Sequence, residues 1–140
     1  MTFYQHITQQ KIDTEALLAT AYHQAAGAVV LFLGNIRNHH LGDAVEQVYY
    51  EAHLKMAEAS IVKILVDAKK KWALHYAHSV HRVGTLKVSE TAVLVVTSAS
   101  HRQESYQANR YIIDRIKQES PIWKKESLAD GSQRWSEGNV

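Results

Sequence analysis

The sequence contains no cysteine and a single proline among its 140 residues. The missing thiols exclude disulfides, thiolate metal sites and a cysteine nucleophile. Long hydrophobic runs are missing too. The longest apolar stretch, over 25–33, is nine residues, far short of the ~20 that cross a bilayer as a helix, so it reads as a buried strand. The opening MTFYQHITQQK has no basic segment followed by an apolar block. No secretory signal or membrane partner is therefore expected, and the chain reads as soluble and cytoplasmic. Charge of one sign is scarce as well, with a formal net charge of +2. A nucleic-acid binder more often shows a strongly basic domain with interleaved aromatics, so no nucleic-acid partner is expected.

What remains is an ordinary globular composition, 46% hydrophobic, of the length of one domain spanning 1–140. Asp13 and Thr14 precede an alanine-rich segment ending at Gly27, a helix with cap and stop signals. GAVVLFLG follows as an apolar strand, IRNHHLGD as a loop and VEQVYYEAH as a second strand. Over 56–72 the positions Ile61, Ile64, Leu65, Ala68 and Trp72 keep helical spacing. HYAHSVHRVG and TAVLVVTSA read as further strands. Ser100 then opens a third helix with Gln103 as its capping-box partner. Ser105, Ala108, Ile112 and Ile116 give that helix one buried face, and Pro121 ends it. The expected class is α+β, with three helices and about six strands.

Four places gather polar groups that a plain core does not need. Asn35, Ile36, Arg37, Asn38, His39 and His40 leave an apolar strand, either as a plain surface turn or as the mouth of a pocket. His101 and Arg102 stand at a helix N-terminus, where a cation is unfavourable but an anion is welcome. They read either as two exposed residues or as a phosphate site. His75, His78 and His81 would share a face in a helix, but in a strand His78 points away from the other two, so no metal site is expected. Finally, IKQESPIWKKE wraps Lys117, Lys124 and Lys125 around the only proline. From 110 to 125 five basic residues oppose two acidic ones, a local +3. A lysine beside Ile122 and Trp123 can lose part of its preference for charge. Alternation pairs Lys124 with Ile122 and Lys125 with Trp123, and periodicity does not say which lysine faces a pocket.

Taken in order, GAVVLFLGNIRNHHLGDAV, YYEAHLKMAE, HRVGTL, VTSASHRQESYQA and IKQESPIWKKE, with DG and RW after it, resemble the family of large, catalytic subunits of molybdopterin synthase (MoaE-like) over about 27–135. The resemblance implies an α/β-hammerhead fold and a homodimer within a heterotetramer. Two small ubiquitin-like sulfur carriers would dock at its ends. The implied reaction converts cyclic pyranopterin monophosphate to molybdopterin with sulfur from the thiocarboxylate at the carrier's C-terminal Gly-Gly, and no cofactor is expected. By motif, Lys117 and Lys124 would be catalytic. Asn35, Ile36, Arg37, His101, Arg102, Lys125 and Glu126 would bind substrate together with the two lysines, and Phe32 would form an apolar wall. Many family members bring a further basic group to the pocket after the RW motif; Ser136, Glu137, Gly138 and Asn139 offer none, so either Arg134 substitutes or that contact is missing, and Arg134 is not counted among the site residues. The competing class is a non-enzymatic module that uses the basic patch to bind an acidic protein or other anion.

Overall fold

The structure, a computed structural model, describes residues 4–136; Glu137, Gly138 and Asn139, where the sequence offers no basic group, lie outside the described residues. Its elements in chain order are β1 (Ile7–Thr8), α1 (Thr14–Ala19), β2 (Ala28–Asn35), β3 (His39–His40), β4 (Asp43–Ala52), α2 (Leu54–Lys71), β5 (Leu74–Arg82), β6 (Gly84–Lys87), β7 (Thr91–Ala99), α3 (Arg102–Glu119), β8 (Ile122–Leu128) and β9 (Gln133–Ser136). The α+β class holds. Among the described residues there are nine strands against the expected six or so, and β1, β3, β6 and β9 have only two to four residues each. Segments that short carry no readable alternation.

Two sheets divide the strands. The first has the order β1-β5-β7-β2; in the second, β3-β4-β8-β9, strand β6 also pairs with β4. β7 is one of the two inner strands of the first sheet, and every residue from Ala92 to Ala99 is buried. Helix α1 lays Leu17 and Leu18 on one face of this sheet, against Val80, Leu94 and Val96. On the other face Ile61, Ile64 and Leu65 of α2 join Ile112 and Ile116 of α3 in the main core. α3 is fixed by more than apolar contact. The Asn109 amide donates to the Val30 and Val95 carbonyls at 3.1 Å each, and Ser105 exchanges hydrogen bonds with Thr97. Buried amides and hydroxyls are stable only when paired in this way.

Three local expectations need correction. β2 is not a buried strand: it lies at the sheet edge and its residues Ala28 to Gly34 are only half-buried. The first helix stops at Ala19, not at Gly27. Its stop is made by Thr20, whose hydroxyl donates to the Leu17 carbonyl at 2.6 Å, and a separate turn closes from Ala26 to His23. Gly27 has a different purpose. A Cβ there would lie 2.4 Å from the Ser100 carbonyl oxygen, so only glycine lets the two chain segments approach. The capping box also fails. His101 is the N-cap of α3 and makes no side-chain cap bond, while the Ser100 hydroxyl pairs with His75 Nε2 at 3.0 Å.

Candidate active site

Pro121 ends α3 and turns the chain into β8, which returns antiparallel to β4 with Tyr50 opposite Lys124 and Tyr49 opposite Lys125. Side chains alternate across a strand. Lys124 therefore shares the inward face with Tyr50 and Glu126, and Lys125 takes the other face. The turn thus folds one of its lysines inward, beside Lys117 in the last turn of α3. The two lysines meet Arg37, from the loop after β2, around a pocket of about 190 Å³ whose wall includes Asn35, Tyr50 and His81. A smaller recess of about 50 Å³ shares Asn35, Arg37, Tyr50 and Lys124 and continues to Ile36, His40 and Glu126.

Backbone geometry at the end of β2 shapes the mouth. A register shift falls between Gly34 and Asn35, and a Cβ at Gly34 would come within 2.7 Å of Val93 Cγ1. The side chain of Asn35 accepts from Thr91 Oγ1 at 2.8 Å, which ties the loop to β7. Ile36 is buried and its backbone pairs with Ser89 and Glu90, so its contribution to the recess is apolar.

Of the three basic side chains around this small space, the two lysines are perturbed. Burial, and after it the Arg37 charge, holds the Lys117 amine below the ordinary lysine value, although much of its side chain is exposed. Lys124 is lowered too, first by burial; Lys117 and Arg37 act in the same direction and Glu126 opposes them. An anion placed within such a cluster would favour the charged form of both lysines. Burial, aided by the Glu126 charge, pushes Tyr50 up to about 12, so its phenol stays neutral and able to donate.

Glu126 is only 2% exposed. Burial favours its protonated form, but His40 Nδ1 at 2.8 Å and Arg134 Nε at 3.0 Å prevail and hold it below the usual carboxylate range. The Arg134 guanidinium also reaches Asp43 at 2.8 Å and the His40 carbonyl at 2.9 Å. Arg134 is thus occupied as a brace for Glu126 and not offered to the pocket as a replacement cation. Glu126 in turn backs Lys124 with a fixed negative charge.

The structure does not bring every candidate together. Lys125 stands over the rings of Tyr49 and Trp135 at 5.6 and 5.5 Å, on the outward face of β8. Phe32 lines a neighbouring groove between β2 and α3 of about 520 Å³, which touches the pocket through Lys117 and Ile113. His101 and Arg102 are exposed at the opposite end of α3. Of the basic patch, Arg110 pairs with Asp114, and Arg115 with Asp67 and Glu119. His75 and His78 are away from the pocket, with His75 stacked on His23 at 4.6 Å and His78 tilted against His6 at 4.9 Å. Tyr50 and His81 are the site residues that sequence reasoning missed. Tyr50 sits in an apolar-aromatic strand pattern, and His81 looked like the close of a strand; neither carries a local signal of its neighbours.

A cysteine-free α+β fold brings an arginine and two lysines to one pocket, an arrangement able to hold a small anion and to stabilise negative charge. The sequence profile of the family described as MoaE protein matches residues 7–119. This chain belongs to that family. The molybdopterin synthase catalytic subunit of Thermoplasma volcanium is 39% identical over 132 residues, covering 94% of this chain and 96% of that protein. That of Staphylococcus aureus strain COL is 40% identical over 127 residues, covering 91% and 86%. The crystal structure of molybdopterin synthase from Staphylococcus aureus superposes with a TM-score of 0.88 at 38% identity, covering 97% of this chain and 98% of that one.

Proposed function

We propose that this chain is the catalytic subunit of a molybdopterin synthase, a sulfurtransferase of molybdenum cofactor biosynthesis. Its substrate would be cyclic pyranopterin monophosphate, and its sulfur donor the thiocarboxylated Gly-Gly terminus of a small ubiquitin-like carrier. The observation that carries the reading is the convergence of Arg37, Lys117 and Lys124 on one pocket from three separate parts of the chain. A thiocarboxylate is an anion, and a chain without cysteine must receive its sulfur from elsewhere. Lys117 and Lys124 hold that anion and stabilise the charge that develops on transfer, Arg37 and the Asn35–Ile36 backbone contact the substrate, and Glu126 keeps Lys124 in place. The non-enzymatic alternative uses the basic patch, which the ion pairs of Arg110 and Arg115 and the outward turn of Lys125 disperse.

His101 and Arg102 enter this reading through a second copy of the chain. They precede Lys117 by fifteen or sixteen residues, roughly 23 Å at ~1.5 Å per residue. A phosphate held at that end of α3 cannot place its pterin at Lys117 of the same chain. A two-fold dimer with antiparallel helices brings one protomer's His101 and Arg102 to its partner's lysines. The test is to mix the protein with a thiocarboxylated carrier and the cyclic precursor and to assay dithiolene. Failure to form dithiolene with a competent carrier would sink the proposal.

A further inference from the structure

His81 is a buried histidine that the lysine chemistry does not use. Only 2% of it is exposed, yet it lines the same pocket as Lys117 and Lys124. Its position is held on two sides. Nδ1 lies 2.7 Å from the Arg82 carbonyl oxygen, and the ring meets that of Tyr50 edge-on, with centroids 4.9 Å apart and planes at 71°. A carbonyl oxygen only accepts, so Nδ1 must carry the hydrogen and Nε2 must carry the lone pair. Nε2 has no hydrogen-bond partner among the described residues. Burial, and secondarily the Lys117 charge, depresses the imidazole to about 4 against the opposing Arg82 bond, so the ring is neutral near pH 7.

The remaining polar residues of the wall are poor proton acceptors. Arg37 is permanently charged, Tyr50 is a neutral phenol and Asn35 has an amide. The amines of Lys117 and Lys124 are lowered, but an anionic sulfur placed beside them restores their charge. That leaves the imidazole. Sulfur transfer supplies a step that needs such a base. Once the thiocarboxylate sulfur has bonded to a substrate carbon, the same sulfur still holds the acyl carbon of the carrier. Freeing it requires an oxygen atom from water.

We propose that His81 is the general base that activates this water, an inference that rests on the sulfur-transfer reading of the pocket. The water proton passes to Nε2 while the water oxygen bonds to the acyl carbon. The acyl carbon–sulfur bond breaks and its electron pair leaves with sulfur as a thiolate, beside Lys117 and Lys124. The carrier departs as a carboxylate after losing its second proton to solvent, and nothing is oxidised or reduced. The groups facing His81 are Tyr50 from β4, Lys117 from α3, Lys124 from β8 and Arg37 from the loop after β2. The imidazolium formed in the step returns its proton to solvent near pH 7, which restores the neutral ring.

The experiment is a single turnover of wild type and His81→Asn with thiocarboxylated carrier and cyclic precursor, quenched and read by mass for the carrier–substrate thioester. Asparagine keeps a donor for the Arg82 carbonyl and removes the Nε2 base. The variant is expected to form the thioester at the wild-type rate and to clear it at least ~10²-fold more slowly, the lower range for loss of a general base. Wild-type clearance should be flat near neutrality and fall as pH drops through about 4, because the base works only when unprotonated. Wild-type clearance by a folded His81→Asn protein would overturn the proposal, as would a variant that never forms the thioester. Should the variant not fold, the wild-type profile decides: an acid limb near 4 supports His81, and a rate that rises only on the alkaline side refutes it. If wild type forms neither thioester nor dithiolene, the sulfur-transfer reading fails, and the role of His81 with it.

Discussion

The two ends of α3 carry similar residues and meet different surroundings. At the N-terminal end His101 and Arg102 are exposed, and no side chain caps the helix. At the C-terminal end Lys117 also keeps much of its exposure, but β2, β4, β5 and β8 converge beside it and close a pocket. A cation becomes part of a reactive site when other elements remove water around it and place further charges within reach. Composition does not separate the two ends; the chain that packs against each of them does. In the proposed dimer the N-terminal end would gain such company from a second protomer.

The largest effect is expected at the closed end. Lys117→Ala should abolish dithiolene formation, and Lys124→Ala should lower it at least ~10²-fold, as when one charge-stabilising donor is lost. Both proteins should melt at the wild-type temperature. Near-normal turnover by folded Lys117→Ala would erase the distinction between the ends. Because both amines are shifted down in the free protein, and protonated lysines are required, wild-type kcat/KM should fall on the alkaline side below the ordinary lysine value. A pH–rate profile with its alkaline limb at that ordinary value would contradict the depression.

A stability effect is expected next at the open end. Gly27→Ala forces a methyl toward the Ser100 carbonyl just ahead of α3, and overpacking of that kind costs about 1–3 kcal/mol. Chemical denaturation measures it; an unchanged midpoint would mean that this approach is soft. A fourth experiment sharpens the comparison by joining the ends. Arg102→Ala and Lys117→Ala should each be inactive alone. Mixed and allowed to exchange subunits, they should regain about a quarter of the wild-type sites by random pairing. No recovery despite proven exchange would place the whole site within one chain. The smallest effect is expected at Lys125→Ala, within about twofold of wild-type turnover, since an exposed cation–π contact is worth only ~0.5–1 kcal/mol. A loss as large as that of Lys124→Ala would mean that Lys125 reaches the substrate after all.

Much of this molecule was legible in the order of its residues. The apolar spacing of 56–72 and of Ser105, Ala108, Ile112 and Ile116 marked α2 and α3, because a helix that buries one face must repeat every three or four residues. The absence of cysteine excluded thiol chemistry, and the basic cluster around Pro121 pointed to the end of α3. Local reading misplaced the stop of α1, the cap of α3 and the buried strand. Thr20, His75 with Ser100, and the edge position of β2 act through partners that a sequence window does not contain. What only the tertiary structure decided was which side chains share a space. The β4–β8 register sends Lys124 inward and Lys125 outward, Arg134 is bound to Glu126 and Asp43, and Tyr50 and His81 join the lysines across more than thirty residues of chain. Periodicity records the face a residue takes in its own element. Burial, charge and proton affinity depend on the elements packed against that face, and those come from the whole chain.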